Sequence, residues 1–196
     1  MRIPHGPGRG SLDGDASGIR NTMRHVISIL VDNEPGVLSR VSELFSGRGF
    51  NIESLNVAET LDPTISRMTL VTRGNDQIIE QITKQLNKLV NVIKVLDLSG
   101  TDYVDREMAL IKVTAEAPTR AEVLRTVDIF RGRVVDVSSK SYTLEITGDD
   151  KKIQAVIDLL APIGIMEIVR TGTVAITRAK KDKSNSGGKR EKEPGS

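Results

Sequence analysis

From His25 to Val31 the chain runs through apolar and β-branched residues, broken only by Ser28, the pattern of a buried strand. Asp32-Asn33-Glu34-Pro35-Gly36 ends that run with turn and helix-start residues. Val37, Leu38, Val41, Leu44 and Phe45 then recur at helical spacing and define one apolar face. Gly47 and Gly49 close this predicted helix, because glycine takes the left-handed C-terminal conformation without a Cβ penalty. Ile52–Glu59 and Ile65–Val71 read as strands joined by the turn Leu61-Asp62-Pro63-Thr64. Ile78, Ile79, Ile82, Leu86 and Leu89 form a second helical face, and Val92–Leu98 a fourth strand. The order is β-α-β-β-α-β.

After a short predicted linker, Gly100–Val104, the order repeats. Met108–Val113 is a strand; Val123, Val127 and Phe130 mark a helical face behind Pro118. Arg133–Ser138 and Ser141–Thr147 are strands, and Ile153, Val156, Ile157 and Leu160 give another helical face. Ile165–Ile176 supplies one last strand. Local likeness supports a duplication: the segment from Leu38 to Phe45 lies over that from Val123 to Phe130, with Arg40 on Arg125 and Phe45 on Phe130. The predicted fold class is α+β, with two tandem ferredoxin-like βαββαβ domains over residues 23–99 and 105–178. Residues 1–22 read as a disordered leader and residues 179–196 as a disordered basic tail, since neither can bury enough surface to order itself. Domains of this size bury a smaller fraction of their surface than larger ones, and their strand edges are open. Both pressures predict at least a dimer.

Composition narrows the chemistry. Aromatic residues make up only 3% of the chain, so Val, Ile and Leu must fill both cores. There is no cysteine, which excludes disulfides, thiolate nucleophiles and Cys-ligated zinc, and which fits a reducing, cytoplasmic setting. The two histidines, His5 and His25, leave almost no material for a metal site or a His base. No metal is predicted. The pI near 8.9 comes from the ends. Residues 178–196 carry a local +4 and residues 1–22 a local +1, so the formal +2 leaves about −3 for residues 23–177. No apolar run approaches the ~20 residues needed to span a bilayer. The leader has no apolar stretch resembling a secretory signal.

No nucleophile–base pair, metal cluster or phosphate loop is present, so no catalytic residue is assigned. Gly47-Arg48-Gly49 ends a helix and lacks the third glycine of a dinucleotide fingerprint. The aromatics Phe45, Phe50, Tyr103, Phe130 and Tyr142 do not pair on any strand to stack bases, which argues against nucleic-acid binding. The informative segment is Asp32 to Leu38. With Pro35 at the first helical position, the N–H groups of Gly36, Val37 and Leu38 become free donors at the positive end of a helix dipole. Such a site suits a carboxylate. Asn33 offers a donor and an acceptor together, or serves only as a turn residue.

The stretch from Asn33 to Val41, followed by Phe45 to Leu55, resembles the ACT-domain opening of acetolactate synthase (acetohydroxyacid synthase) small regulatory subunits. So do the blocks Asp62–Thr69, Gln81–Leu89 and Ile129–Val137, and the similarity runs in order from about Met23 to Arg178. The resemblance implies a regulatory, non-catalytic subunit that stimulates a separate catalytic large subunit. It also implies feedback inhibition by branched-chain amino acids, usually valine, in valine, leucine and isoleucine biosynthesis. Thiamine diphosphate, Mg²⁺ and FAD are then expected in the partner and no cofactor in this chain. The effector positions carry onto Asn33, Gly36 and Asn51, with Val37, Leu38 and Ile52 lining the pocket, at an interface between two ACT domains. Pro35 stands where some members have serine. The second repeat has Ala117-Pro118-Thr119-Arg120 in place of the Asn-x-x-Gly loop, so no equivalent site is expected there. A stand-alone amino-acid sensor acting on transcription is the alternative; it would need a DNA-reading element, and none is found.

Overall fold

The computed structural model describes residues 23–179; the predicted leader and all but the first residue of the predicted tail lie outside them. The first half runs β1 (Met23–Asp32), α1 (Val37–Ser46), β2 (Ser54–Glu59), β3 (Ile65–Gly74), α2 (Asp76–Leu86) and β4 (Val92–Asp97). The second runs β5 (Tyr103–Thr114), α3 (Arg120–Ile129), β6 (Arg133–Val137), β7 (Ser141–Gly148), α4 (Asp150–Leu160) and β8 (Ile165–Arg170), followed by β9 (Val174–Thr177). The sheets are antiparallel, in the orders β2-β3-β1-β4 and β6-β7-β5-β8. Two tandem ferredoxin-like halves are therefore present.

The near-continuous apolar run of β1 has a direct cause. Ile27, Ile29 and Val31 face the two helices and pack with Val41, Phe45, Leu70, Ile82 and Leu86. Val26 points to the other face of the sheet and is covered as well, in a cluster with Val71, Leu98 and Ala175 against Tyr103. A strand covered on both faces cannot alternate. Each such side chain buried in full contributes about 1.5–3 kcal/mol. The second core repeats the arrangement, with Ile111, Val113, Leu144 and Ile146 of the sheet against Val123, Ile153, Val156 and Leu160.

Three local readings change. The stretch read as a linker is partly strand: β5 begins at Tyr103, and residues 103–106 pair with β9 before β5 becomes the centre of the second sheet. Tyr103 and Ala175 of that two-stranded ribbon lie on the open face of the first sheet. The single last strand is two, separated at Gly172 with φ 79°. Of the two glycines that end α1, only Gly49 is left-handed, at φ 69°; Gly47 keeps φ −65°.

Candidate functional site

The turn between β1 and α1 is built differently from the sequence expectation. Pro35 lies before the helix. With Gly36 at φ 86°, ψ −8°, residues 34–37 form a turn that places proline second and needs positive φ at its third position. The N–H of Val37 reaches Glu34 O at 3.4 Å, and the helix ladder opens with Arg40 N–H to Gly36 O at 3.1 Å. Among the described residues the N–H groups of Gly36, Leu38 and Ser39 have no acceptor. The helix start has no side-chain cap and no acidic residue in its first turn. By contrast α2 and α4 are capped by Asn75 and Asp149 and begin with Asp76 and Asp150. The positive end of α1 is thus left uncompensated, and a Cβ on Gly36 would meet nothing within 4 Å. An anionic group can approach that backbone freely.

Asn33 is held from three sides. Its N–H donates to Thr64 O (2.7 Å), its amide Nδ2 donates to Glu59 Oε1 (3.1 Å) and Pro63 O (2.9 Å), and its Oδ1 accepts from Ser66 Oγ (3.0 Å). Within one chain it fastens the β1–α1 loop to the β2–β3 hairpin. Glu34 is fixed in turn by Asn91 Nδ2 at 3.1 Å, and Arg40 also bonds Asn91. Val37 is buried in the helix-side core, so only its backbone faces the loop; Leu38 stays half exposed. Asn51 is exposed, its carbonyl accepting from Thr72 Oγ1 at 2.6 Å and its side-chain amide free among the described residues. Ile52 is half buried against the first core.

The structure brings Asn33, Gly36 and Leu38 together and sets Asn51 and Ile52 apart. Asn33 sits by Thr64 and Asn51 by Thr72, at opposite ends of β3, roughly 25 Å apart at the rise of a strand. One chain cannot supply both to one amino acid.

His25 is buried, its Nδ1 3.1 Å from Asp97 Oδ2 and its Nε2 without a partner. Among the described residues no group of three His, Asp or Glu could hold a metal, and no helix is long and apolar enough to cross a membrane.

Sequence reasoning missed a contact between the halves. Thr173 N–H donates to Ser54 Oγ at 2.9 Å, and Arg24 Nη2 donates to Thr173 Oγ1 at 2.9 Å. The only local signal was Gly172, a glycine inside a run read as strand, which marks a break or a close backbone approach.

Residues 27–94 match the AHAS small subunit-like ACT domain, and residues 106–179 match the family described as the small subunit of acetolactate synthase. The acetolactate synthase small subunit of Aquifex aeolicus is 53% identical over 156 residues, covering 79% of this chain and 81% of that protein. That of Mycolicibacterium smegmatis is 51% identical, covering 80% and 92%. The crystal structure of the acetolactate synthase small subunit from Thermotoga maritima superposes with a TM-score of 0.73 at 45% identity, covering 80% of this chain and 98% of that one. The chain belongs to the acetolactate synthase small subunits, a family of regulatory subunits whose enzyme activity resides in the holoenzyme.

Proposed function

We propose that this chain stimulates a thiamine-diphosphate-dependent catalytic large subunit and makes it sensitive to a branched-chain amino acid, valine before leucine or isoleucine. The observation that carries the reading is the bare start of α1, where Gly36 borders open space and the neighbouring N–H groups have no acceptor among the described residues. The effector carboxylate docks there, and its ammonium group and side chain fall to Asn33, Leu38 and a second copy of the chain. Thiamine diphosphate, Mg²⁺ and FAD belong to the catalytic partner; this chain needs none of them. Under the same proposal the assembly is assigned to the cytoplasm.

The topology supports a site shared by two copies. β2 is an edge strand, paired only with β3. Two β2 edges joined antiparallel about a two-fold axis put the start of one strand beside the end of the other. Asn51 and Ile52 precede the start of β2, and Glu59 at its end is bonded to Asn33. Such a dimer therefore brings Asn51 of one copy to Asn33 and Gly36 of the other. It also covers an edge that would otherwise invite aggregation.

The test is reconstitution. The purified chain, given pyruvate, thiamine diphosphate, Mg²⁺ and FAD, is expected to form no acetolactate. Added to the catalytic subunit, it should raise the rate and introduce inhibition by valine. Turnover by the isolated chain, or a reconstituted enzyme that is indifferent to all three branched-chain amino acids, overturns the reading.

A further inference from the structure

We infer that the contact of Ser54 with Gly172 and Thr173 is a coupling latch, fixing the start of β2, and with it the Asn51 loop, to the second half of the chain. The role given to Asn51 rests on the effector reading above; the mechanical link does not.

The latch is a point where three strands of the first half and one link of the second converge. Gly172 has φ 79°, and a Cβ placed on it would stand 2.6 Å from Ser54 Oγ. The obstacle is the Ser54 hydroxyl and not the opposing backbone, whose nearest atom, Leu55 N, lies 3.8 Å from that position; the positive φ adds strain of its own for any side chain there. Ser54 could rotate clear only by giving up the bond it accepts from Thr173 N–H. Thr173 is buried, and its hydroxyl is held by Arg24 of β1. Beneath Ser54, Glu53 N–H bonds Val71 O of β3 at 2.8 Å, and Asn51 O takes the Thr72 hydroxyl. A displacement of Ser54 is therefore a displacement of Asn51.

The other side of the latch is stiff. Thr171 N–H bonds Met108 O at 3.0 Å, and its hydroxyl accepts from Met108 N–H at 3.1 Å, tying the link to β5. One residue earlier, Arg170 makes a two-pronged pair with the buried Glu107 (2.7 Å each) and a third bond to Asp150 at the start of α4 (2.9 Å). Those bonds, Glu107 foremost, hold the Arg170 guanidinium charged well beyond its ordinary range. The link therefore moves with the second sheet and α4 as one body. Between the two bodies lies an open cavity of about 290 Å³ lined by Arg24, Glu53, Ser54, Glu107, Arg170 and Thr173. It gives the halves room to shift, while the latch makes a shift of one a shift of the other. By linkage the coupling is reciprocal: the factor by which a partner bound to the second half changes effector affinity is the factor by which the effector changes that partner's affinity.

Hydrogen exchange on the full chain tests the mechanical link without any ligand. Gly172→Ala is expected to raise exchange of the amides of residues 52–56 at least tenfold while leaving α2 and β4 unchanged; the Thr173 amide, a direct partner, is not counted. A response confined to residues 170–177 overturns the latch. Should Gly172→Ala not fold, Ser54→Ala adds no bulk and carries the same comparison, with loosening of residues 171–175 expected as well. In the double variant, removal of Oγ makes room for the new Cβ, so stability should recover relative to Gly172→Ala alone while the loosened exchange persists. A second arm uses the reconstituted holoenzyme with valine as probe. Ser54→Ala should keep valine binding within about threefold, yet its maximal inhibition should fall to half or less of the wild-type value. Full inhibition with unchanged binding overturns the coupling role, and a loss of binding beyond tenfold makes Ser54 a ligand contact instead. If the wild-type chain binds no valine, it is the effector reading that fails, and the exchange arm alone decides the latch.

Discussion

The junction of β1 with α1 and the junction of β5 with α3 occupy the same place in two copies of one fold and are finished in opposite ways. In the first half the Pro35-Gly36 turn leaves the helix start without cap or carboxylate. In the second half no residue of the junction has positive φ, and Glu122 stands in the first turn. There the guanidinium of Arg120 donates to Ala115 O and Ser139 O and lies 5.7 Å above the Tyr142 ring, over the approach to the junction. Neither helix start has a side-chain cap, but Arg120 spans the second junction and Glu122 stands in its first turn, whereas the first has neither. Apolar spacing maintains the fold in both halves, and four or five loop residues decide whether a helix start can receive a ligand.

The largest expected effect comes from closing the open junction. Gly36→Asp places a carboxylate where an effector carboxylate would sit, and roughly a hundredfold or greater loss of valine sensitivity is expected in the reconstituted enzyme. Because position 36 has φ 86°, the variant also carries backbone strain, so Gly36→Asn is the control. Asparagine has nearly the same shape, tolerates this conformation and adds no charge. The difference between the two variants measures the electrostatic part. Thr119→Asp, at the residue that precedes α3 as Gly36 precedes α1, should shift the inhibitory concentration less than twofold. Equal responses at positions 36 and 119 would break the comparison.

Next in size is Asn51→Ala, expected to raise the inhibitory concentration tenfold to a hundredfold through loss of a hydrogen bond to a charged ligand, worth about 1.5–3 kcal/mol. Mixing Asn51→Ala with Asn33→Ala chains then tests where each residue acts. If a site draws the two from different copies, the mixed dimer has one intact site and one doubly damaged site. Calorimetry should find one near-wild-type site per mixed dimer; finding none would place both residues in the same chain's site.

The comparison also separates what the residues announce locally from what they do not. The β1 run is continuous and the helical faces of α1, α2 and α4 are periodic, and each element forms where its pattern puts it. The glycine at the α1 start and the asparagine of the loop before it, Gly36 and Asn33, stood out locally. The geometry was less legible: Pro35 satisfies a helix start and a turn equally, and the positive φ of Gly36 decides for the turn. The ribbon of β5 with β9 was invisible because its strands pair across more than sixty residues, Tyr103 with Thr177, and Tyr103 alone reads as a loop aromatic. The pairing of Ser54 with Thr173 spans longer still. Contacts of that range leave no period in the chain, only an isolated glycine.

A smaller effect is expected at another pair of equivalent positions. His25 on β1 and Glu107 on β5 stand two residues before Ile27 and Ala109, which pair with Asp97 and Arg170 at matching points of the edge strands. The first half therefore has a buried imidazole facing a carboxylate, the second a buried carboxylate facing a guanidinium. Removing one partner should cost more in the second half, because it leaves a buried carboxylate without its doubly bonded guanidinium. Arg170→Met is expected to cost about 2 kcal/mol by chemical denaturation, and Asp97→Asn about 1 kcal/mol or less. Losses of similar size would show that the two pairs are equivalent in more than position.

The smallest effect separates the two hairpins by pH. At the β2–β3 turn the Asp62 carboxylate accepts from the Thr64 hydroxyl (2.6 Å) and N–H (2.9 Å), and these bonds hold its pKa below the ordinary aspartate value. At the β6–β7 turn the equivalent bonds run between uncharged groups: Ser138 Oγ accepts from Ser141 N–H at 2.9 Å and pairs with Ser141 Oγ. A carboxylate whose folded pKa is depressed adds stability that is present above its unfolded pKa and fades as pH falls through the folded value. Acidification below about pH 4 should therefore loosen the β2–β3 turn and spare the β6–β7 turn, where the bonds are uncharged. Asp62 is fully exposed, so the change should appear in local amide exchange and chemical shifts near Thr64 and leave global stability almost unmoved. Thr64→Val should return Asp62 toward its ordinary range and remove most of the difference. Because Asn33 donates to Thr64 O and Pro63 O, the same acidification should slightly loosen the loop between β1 and α1. If both hairpins loosen together, the contrast between a charged and a neutral turn has no consequence for the fold.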